Sequence, residues 1–213
     1  MITDNLNRIK AELPSGVELV AVSKFHPLDH LKEAYAAGQR IFAESRPQEL
    51  ASKVPAMPAD VQWHFIGHLQ TNKLKMVLPY VSLVQSVDSM HLLEAIASWA
   101  GANNHPVDIL LELHLGAEAS KHGFTEKEIE SILGKEPYNN IRIRGLMGMA
   151  TNTEDEEVVE KDFQRIERLF LKYKGTIPGF DTLSIGMSGD WPIAVKHSAT
   201  MVRIGTDIFG PRV

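Results

Sequence analysis

Short runs rich in β-branched and aromatic residues recur along the chain, separated by longer segments with apolar residues at helical spacing. The runs are Glu18–Ser23, Arg40–Ala43, Gln62–Ile66, Ser82–Val87, Val107–His114, Ile141–Met147, Thr182–Ile185 and Met201–Ile204. Between them, Leu28, Leu31, Ala34 and Tyr35 form one helical stripe closed by Gly38, and Leu92, Leu93, Ile96 and Ala100 form another. Two further helices open on capping-box patterns, Thr125 to Glu128 and Thr153 to Glu156, in which a hydroxyl caps a backbone amide and a glutamate reaches back. The acidic cluster of residues 154–157 reads as a favourable helix start. Eight strands alternating with helices predict an α/β chain folded as a single (β/α)8 TIM barrel over residues 1–213. A doubly wound open sheet shows the same alternation, and the pattern alone does not separate the two.

Composition narrows the function classes. The apolar share of 44% and charged share of 23% are those of an ordinary globular chain, and 213 residues suffice for a substantial core. A net charge of −5 argues against nucleic acid or an anionic membrane as partner. With no cysteine, disulfides, thiolate catalysis and Cys-ligated metal centres are excluded. Ile2, Leu6, Ile9 and Leu13 fall at helical spacing and do not form the apolar run of a secretion signal. No stretch reaches the roughly 20 apolar residues that span a bilayer, so a cytoplasmic chain is expected.

The apolar run Leu19–Ser23 ends on Lys24. In a barrel the C-terminal ends of the strands form the active face, so Lys24 would enter its mouth. A partly desolvated lysine there can form a Schiff base with an aldehyde or ketone, whereas a lysine after a strand is ordinarily just solvated. The far end of the chain bears on this choice. Residues 186–190 (Gly-Met-Ser-Gly-Asp) follow the seventh run, and residues 198–206 surround the eighth. Small and hydroxyl residues let backbone amides approach a phosphate, and the loops after strands 7 and 8 are the usual phosphate site of a barrel. Lysine and phosphate loops together describe an aldehyde with a phosphate handle. A Schiff-base aldolase acting on sugar phosphates would use the same features.

Several segments carry a more specific resemblance. They include Leu19–Lys24, residues 63–73 (Trp-His-Phe-Ile-Gly-His-Leu-Gln-Thr-Asn-Lys), residues 86–89, Arg144–Met147, Leu183–Ser188 and Thr200–Gly210. On these the chain resembles the YggS/PROSC family of pyridoxal phosphate homeostasis proteins, which share the alanine racemase N-terminal barrel. The resemblance implies pyridoxal 5′-phosphate (PLP) as cofactor, held on Lys24 as an internal aldimine. It places Ser188, Thr200 and the backbone around Arg203 to Gly205 at the phosphate, with Met187 beside them, and Arg203 at the pyridine nitrogen. His64 is expected near the pocket or in the core. Ser45 stands where the family has asparagine, and Ala199 where it has serine.

No metal site is expected. His64 and His68 lie across a strand end, and Glu112 with His114 lacks a His-x-His partner on the first strand. No catalytic residue is assigned either. Alanine racemases bring a tyrosine from a second domain as opposing acid/base, whereas Tyr35, Tyr80, Tyr138 and Tyr173 fall in helices or before strands. The chain is therefore expected to be a monomer that holds the cofactor for PLP-dependent apoenzymes without significant catalysis. A fold-type III racemase-like enzyme is the alternative.

Overall fold

The computed structural model describes residues 1–116 and 122–211. Eight parallel strands close into a barrel in sequence order, which settles the choice between barrel and open sheet. They are β1 (Glu18–Val22), β2 (Ile41–Glu44), β3 (Gln62–Phe65) and β4 (Leu83–Val87), then β5 (Val107–Leu113), β6 (Ile141–Gly148), β7 (Thr182–Ser184) and β8 (Met201–Ile204). The main helices are α1 (Ile2–Glu12), α2 (Leu28–Ala36), α3 (Pro47–Lys53), α4 (Leu74–Val77) and α5 (Met90–Asn103). They continue with α6 (Glu126–Leu133), α7 (Glu156–Tyr173), α8 (Trp191–Ala194) and α9 (Thr206–Phe209). Pairing of β1 with β8, from Glu18 opposite Met201 to Ala21 opposite Ile204, closes the ring.

The period-two alternation of a strand divides the core into two shells. Leu19, Ala21, Trp63, Phe65, Leu183, Val202 and Ile204 face outward and pack with the helices. Val20, Val22, Ala43, Leu83, Leu110, Met147 and Met201 face inward and form a separate apolar cluster. The same inward parity carries polar residues, since His64, Gln85, Ser184 and Arg203 are all buried. A barrel of this size has its interior filled by side chains.

Helix boundaries follow local chemistry. After α2 the Gly38 and Gln39 amides return to Tyr35 O and Ala34 O, which ends the helix where the sequence places it. Thr125 caps α6 in a complete capping box with Glu128. The second expected box does not form. Asp155 caps α7 by accepting the Glu157 amide, so the helix starts at Glu156, and Thr153 Oγ1 only accepts the Asp155 amide. Aspartate competes equally well for a cap position, and here it lies nearer the apolar stripe.

Candidate functional site

The inward parity of the strands continues past their C-terminal ends and builds the mouth of the barrel. Two residues beyond Val22 comes Lys24, beyond His64 comes Ile66, beyond Met147 comes Met149, and beyond Arg203 comes Gly205. All four of these continuations line one cavity of about 270 Å3, together with Val22, His26, Met147, Met187, Ser188, Gly189, Arg203 and Thr206. A primary amine, a guanidinium and two hydroxyls thus share a cavity whose remaining wall is largely thioether and aliphatic.

The turn that presents Lys24 is fastened from behind. Ser23 is fully buried, and its hydroxyl donates to Glu44 Oε1 at 2.6 Å. Lys53 Nζ, from the end of α3, donates to Ser23 O, Glu44 Oε1 and Glu49 Oε1, each at 2.8 Å. Glu49 Oε1 also accepts the Phe25 amide at 2.7 Å, holding Phe25 at φ 67. Such a left-handed non-glycine residue persists only where surrounding bonds over-determine it. Burial pushes the Glu44 carboxyl up, while Lys53 and Ser23 pull it back. Removing one member of such a buried pair costs about 3–5 kcal/mol, because the other charge is left uncompensated. His26 completes the turn, stacked on Phe209 with centroids 4.9 Å apart.

Arg203 is held by a relay across the barrel interior. Its guanidinium donates to Ser184 O and Ser184 Oγ at 2.7 Å and to Gly148 O at 3.0 Å. Ser184 Oγ donates onward to Gln85 Oε1 at 2.7 Å, and Gln85 Nε2 meets His64 Nδ1 at 2.9 Å. The amide nitrogen can only donate, so His64 Nδ1 accepts and the ring is neutral. Burial holds His64 down at about 4, in keeping with that tautomer. Burial also pulls Arg203 down to about 10, against the pull of Asp190 and Glu112, and leaves it cationic at neutral pH. Asp190 accepts the Met187 amide at 2.5 Å and so shapes the loop after β7.

A second cavity of about 390 Å3 adjoins the first and shares Ile66, Met149 and Met187 with it. It is lined by Glu112, which burial and the neighbouring Asp88 push up to about 7. The same cavity holds His68, Asp88 and His122, a grouping of potential metal ligands.

Comparison with known proteins identifies the family. The family description "alanine racemase, N-terminal domain" matches residues 1–213. A pyridoxal phosphate homeostasis protein of Vibrio alginolyticus is 37% identical over 207 residues, covering 93% of this chain and 88% of that protein. The chain belongs to the pyridoxal phosphate homeostasis protein family. Among solved structures, PipY of Synechococcus elongatus PCC7942 with PLP bound is 34% identical, with a TM-score of 0.90 over 99% of this chain and all of that one. Alanine racemase from E. faecalis, at 19% identity and a TM-score of 0.78, shares the fold across 57% of its own length.

Of the residues that the family resemblance pointed to, Lys24, Met187, Ser188, Arg203 and Gly205 come together in the first cavity. Thr200 does not. It precedes β8, at the opposite end of the barrel from the mouth, where its hydroxyl accepts the Leu183 amide at 2.8 Å. The hydroxyl at the mouth end of the same strand is that of Thr206, in a position that strand direction alone would have indicated. His64 does not line the cavity and connects to it through Gln85, Ser184 and Arg203. Ser45 is half-buried at the end of β2 and does not line the cavity. None of the four tyrosines lines it either. Tyr35, for example, is occupied on the outer surface by Asp60, at 2.7 Å.

Proposed function

We propose that this chain holds pyridoxal 5′-phosphate in the cavity at Lys24 and acts in cofactor homeostasis rather than turnover. The observation that carries the reading is the joining of Lys24, Arg203, Ser188 and Thr206 in one cavity that no tyrosine reaches. The donor set fits the group. Lys24 supplies the amine, the two hydroxyls beside Gly189 and Gly205 offer donors where little side-chain bulk intervenes, and the methionines provide an apolar wall. When bound, the cofactor supplies an aldehyde that condenses reversibly with amines and a ring that can accept electrons.

The chain's own residues temper that chemistry. Arg203 is locked by Ser184 and Gly148 and stays cationic, so it disfavours a proton on a ring nitrogen beside it and weakens the ring as an electron sink. No tyrosine stands ready to exchange a proton across the cavity. Loading and release for PLP-dependent apoenzymes, by a monomer in the cytoplasm, is the role that suits such a site. Absorbance spectroscopy tests it. Purified protein should be yellow, Lys24→Ala should lose the colour while keeping its fold, and amino-acid racemisation should stay at background. A colourless wild type, or robust racemisation, would overturn the reading.

A further inference from the structure

The second cavity carries a separate assignment. Asp88 stands directly after β4 with its side chain only 5% exposed, and two imidazoles converge on the same oxygen. His68 Nδ1 is 2.8 Å from Asp88 Oδ2 and His122 Nδ1 is 3.4 Å from it. The potential ligand atoms of the three residues all lie within 4.8 Å of one another. Hydrogen bonding accounts for only part of this. The His68 contact is a good bond, but 3.4 Å exceeds the usual N–H···O range, so His122 is aimed at an oxygen that is already occupied.

A small cation accounts for all three. Zinc binds imidazole nitrogen at about 2.0–2.1 Å and carboxylate oxygen at about 2.0–2.2 Å, which places tetrahedral ligand atoms roughly 3.3–3.5 Å apart. The observed separations need only small side-chain adjustments to reach that geometry. Hydrogen bonds brace the backbone near the ligands among the described residues. Ser86 Oγ, on the strand that leads to Asp88, donates to Gly67 O at 2.6 Å and ties down the loop of His68. Gly67 itself sits so close to β2 that a Cβ would lie 2.2 Å from Ser45 O. On the His122 side, Phe124 donates to Glu112 O at 2.7 Å and accepts the His114 amide at 3.0 Å. His68 and Asp88 are thus braced against each other beyond the ends of β3 and β4, and His122 stands two residues before Phe124, which is bonded to Glu112 and His114.

We infer that His68, Asp88 and His122 form a site for one divalent transition-metal ion of the zinc class, beside the Lys24 cavity. Two imidazoles and one carboxylate suit zinc, cobalt or nickel, whereas magnesium and calcium prefer all-oxygen shells. Three protein ligands leave a fourth position, which the cavity around Glu112 and Met149 opens to an exchangeable water or an anionic oxygen. The residues that would bind the metal are not those that line the Lys24 cavity, so the two sites stand or fall independently.

The test uses the full chain without an affinity tag, stripped with chelator, desalted and titrated with zinc chloride in a calorimeter. One zinc per chain is expected. Affinity should fall at least about ten-fold in each of His68→Ala, His122→Ala and Asp88→Asn. His105→Ala, which removes a histidine packed against Trp99 elsewhere, should leave it unchanged. Both histidine side chains in the site are more than half exposed, so their removal should spare the fold. Cobalt substitution of the wild type gives a second readout, because a four-coordinate site produces intense visible bands. Absence of one-to-one binding at micromolar zinc, binding unweakened in both histidine variants, or only weak six-coordinate cobalt bands would overturn the assignment.

Discussion

The polar residues inside the barrel show how far a single side chain can be read from sequence. Lys24 was legible because it ends an apolar strand, and strand direction places such an end at the mouth. Glu44, Glu49 and Lys53 were not, since charged residues in a sequence ordinarily belong to solvent, and only the fold shows them locking the Lys24 turn. His64 lies between these cases: the alternation of its strand is legible, whereas its place at the far end of the Arg203 relay follows from the fold. That placement has a pH consequence. Its folded-state value near 4 lies below the ordinary 6.5, so the unfolded chain takes up a proton that the folded chain refuses. The contribution of His64 is therefore complete above pH 6.5 and is lost as pH falls toward 4, by about 3 kcal/mol at most. Glu112, raised by burial, acts in the opposite direction, so the comparison must be differential. In urea unfolding, the stability of wild type relative to His64→Gln should decline between pH 7 and 4. Parallel curves would show that His64 titrates normally in the fold.

Strand and helix identities were the most legible level, because buried parallel strands and amphipathic helices leave long periodic traces. Irregularities within a strand leave almost none. In β6 the register against β5 shifts between Ile109 and Leu110, so that Ile109 pairs with Ile143 and Leu110 with Gly145. Gly145 occupies φ 151, and a Cβ there would lie 1.8 Å from Thr182 O of β7. The shift matters for the site because it sets the parity that turns Met147 inward and carries Met149 to the mouth. Gly145→Ala should therefore cost several kcal/mol, more than the roughly 1 kcal/mol of a typical substitution. It should also weaken cofactor retention, since it moves the strand that supplies the methionine wall. Chemical denaturation and absorbance measured on the same variant check both effects. A Gly145→Ala protein as stable as wild type would mean that the shift in register is not obligatory.

For the whole molecule, the sequence left barrel and open sheet unresolved, because both have the same alternation of strands and helices. Closure depends on β1 finding β8, a contact between segments about 180 residues apart that no local pattern encodes. A ring with no edge strand has no natural place to come apart. Residues 1–213 should accordingly unfold as one unit. Far-ultraviolet circular dichroism and fluorescence of Trp63, Trp99 and Trp191 should give coincident transitions. Two resolved transitions would instead divide the chain into separately folding parts.

The same closure has a consequence for synthesis. Lys24 follows β1, while Arg203, Gly205 and Thr206, which line the same cavity from the neighbouring β8, are translated about 180 residues later. Until they join, a growing chain offers a lone amine and no pocket, so premature capture of an aldehyde by the nascent protein has nothing to hold it. With the cofactor held at Lys24 as proposed, its custody begins only with a chain that has been read through to its eighth strand.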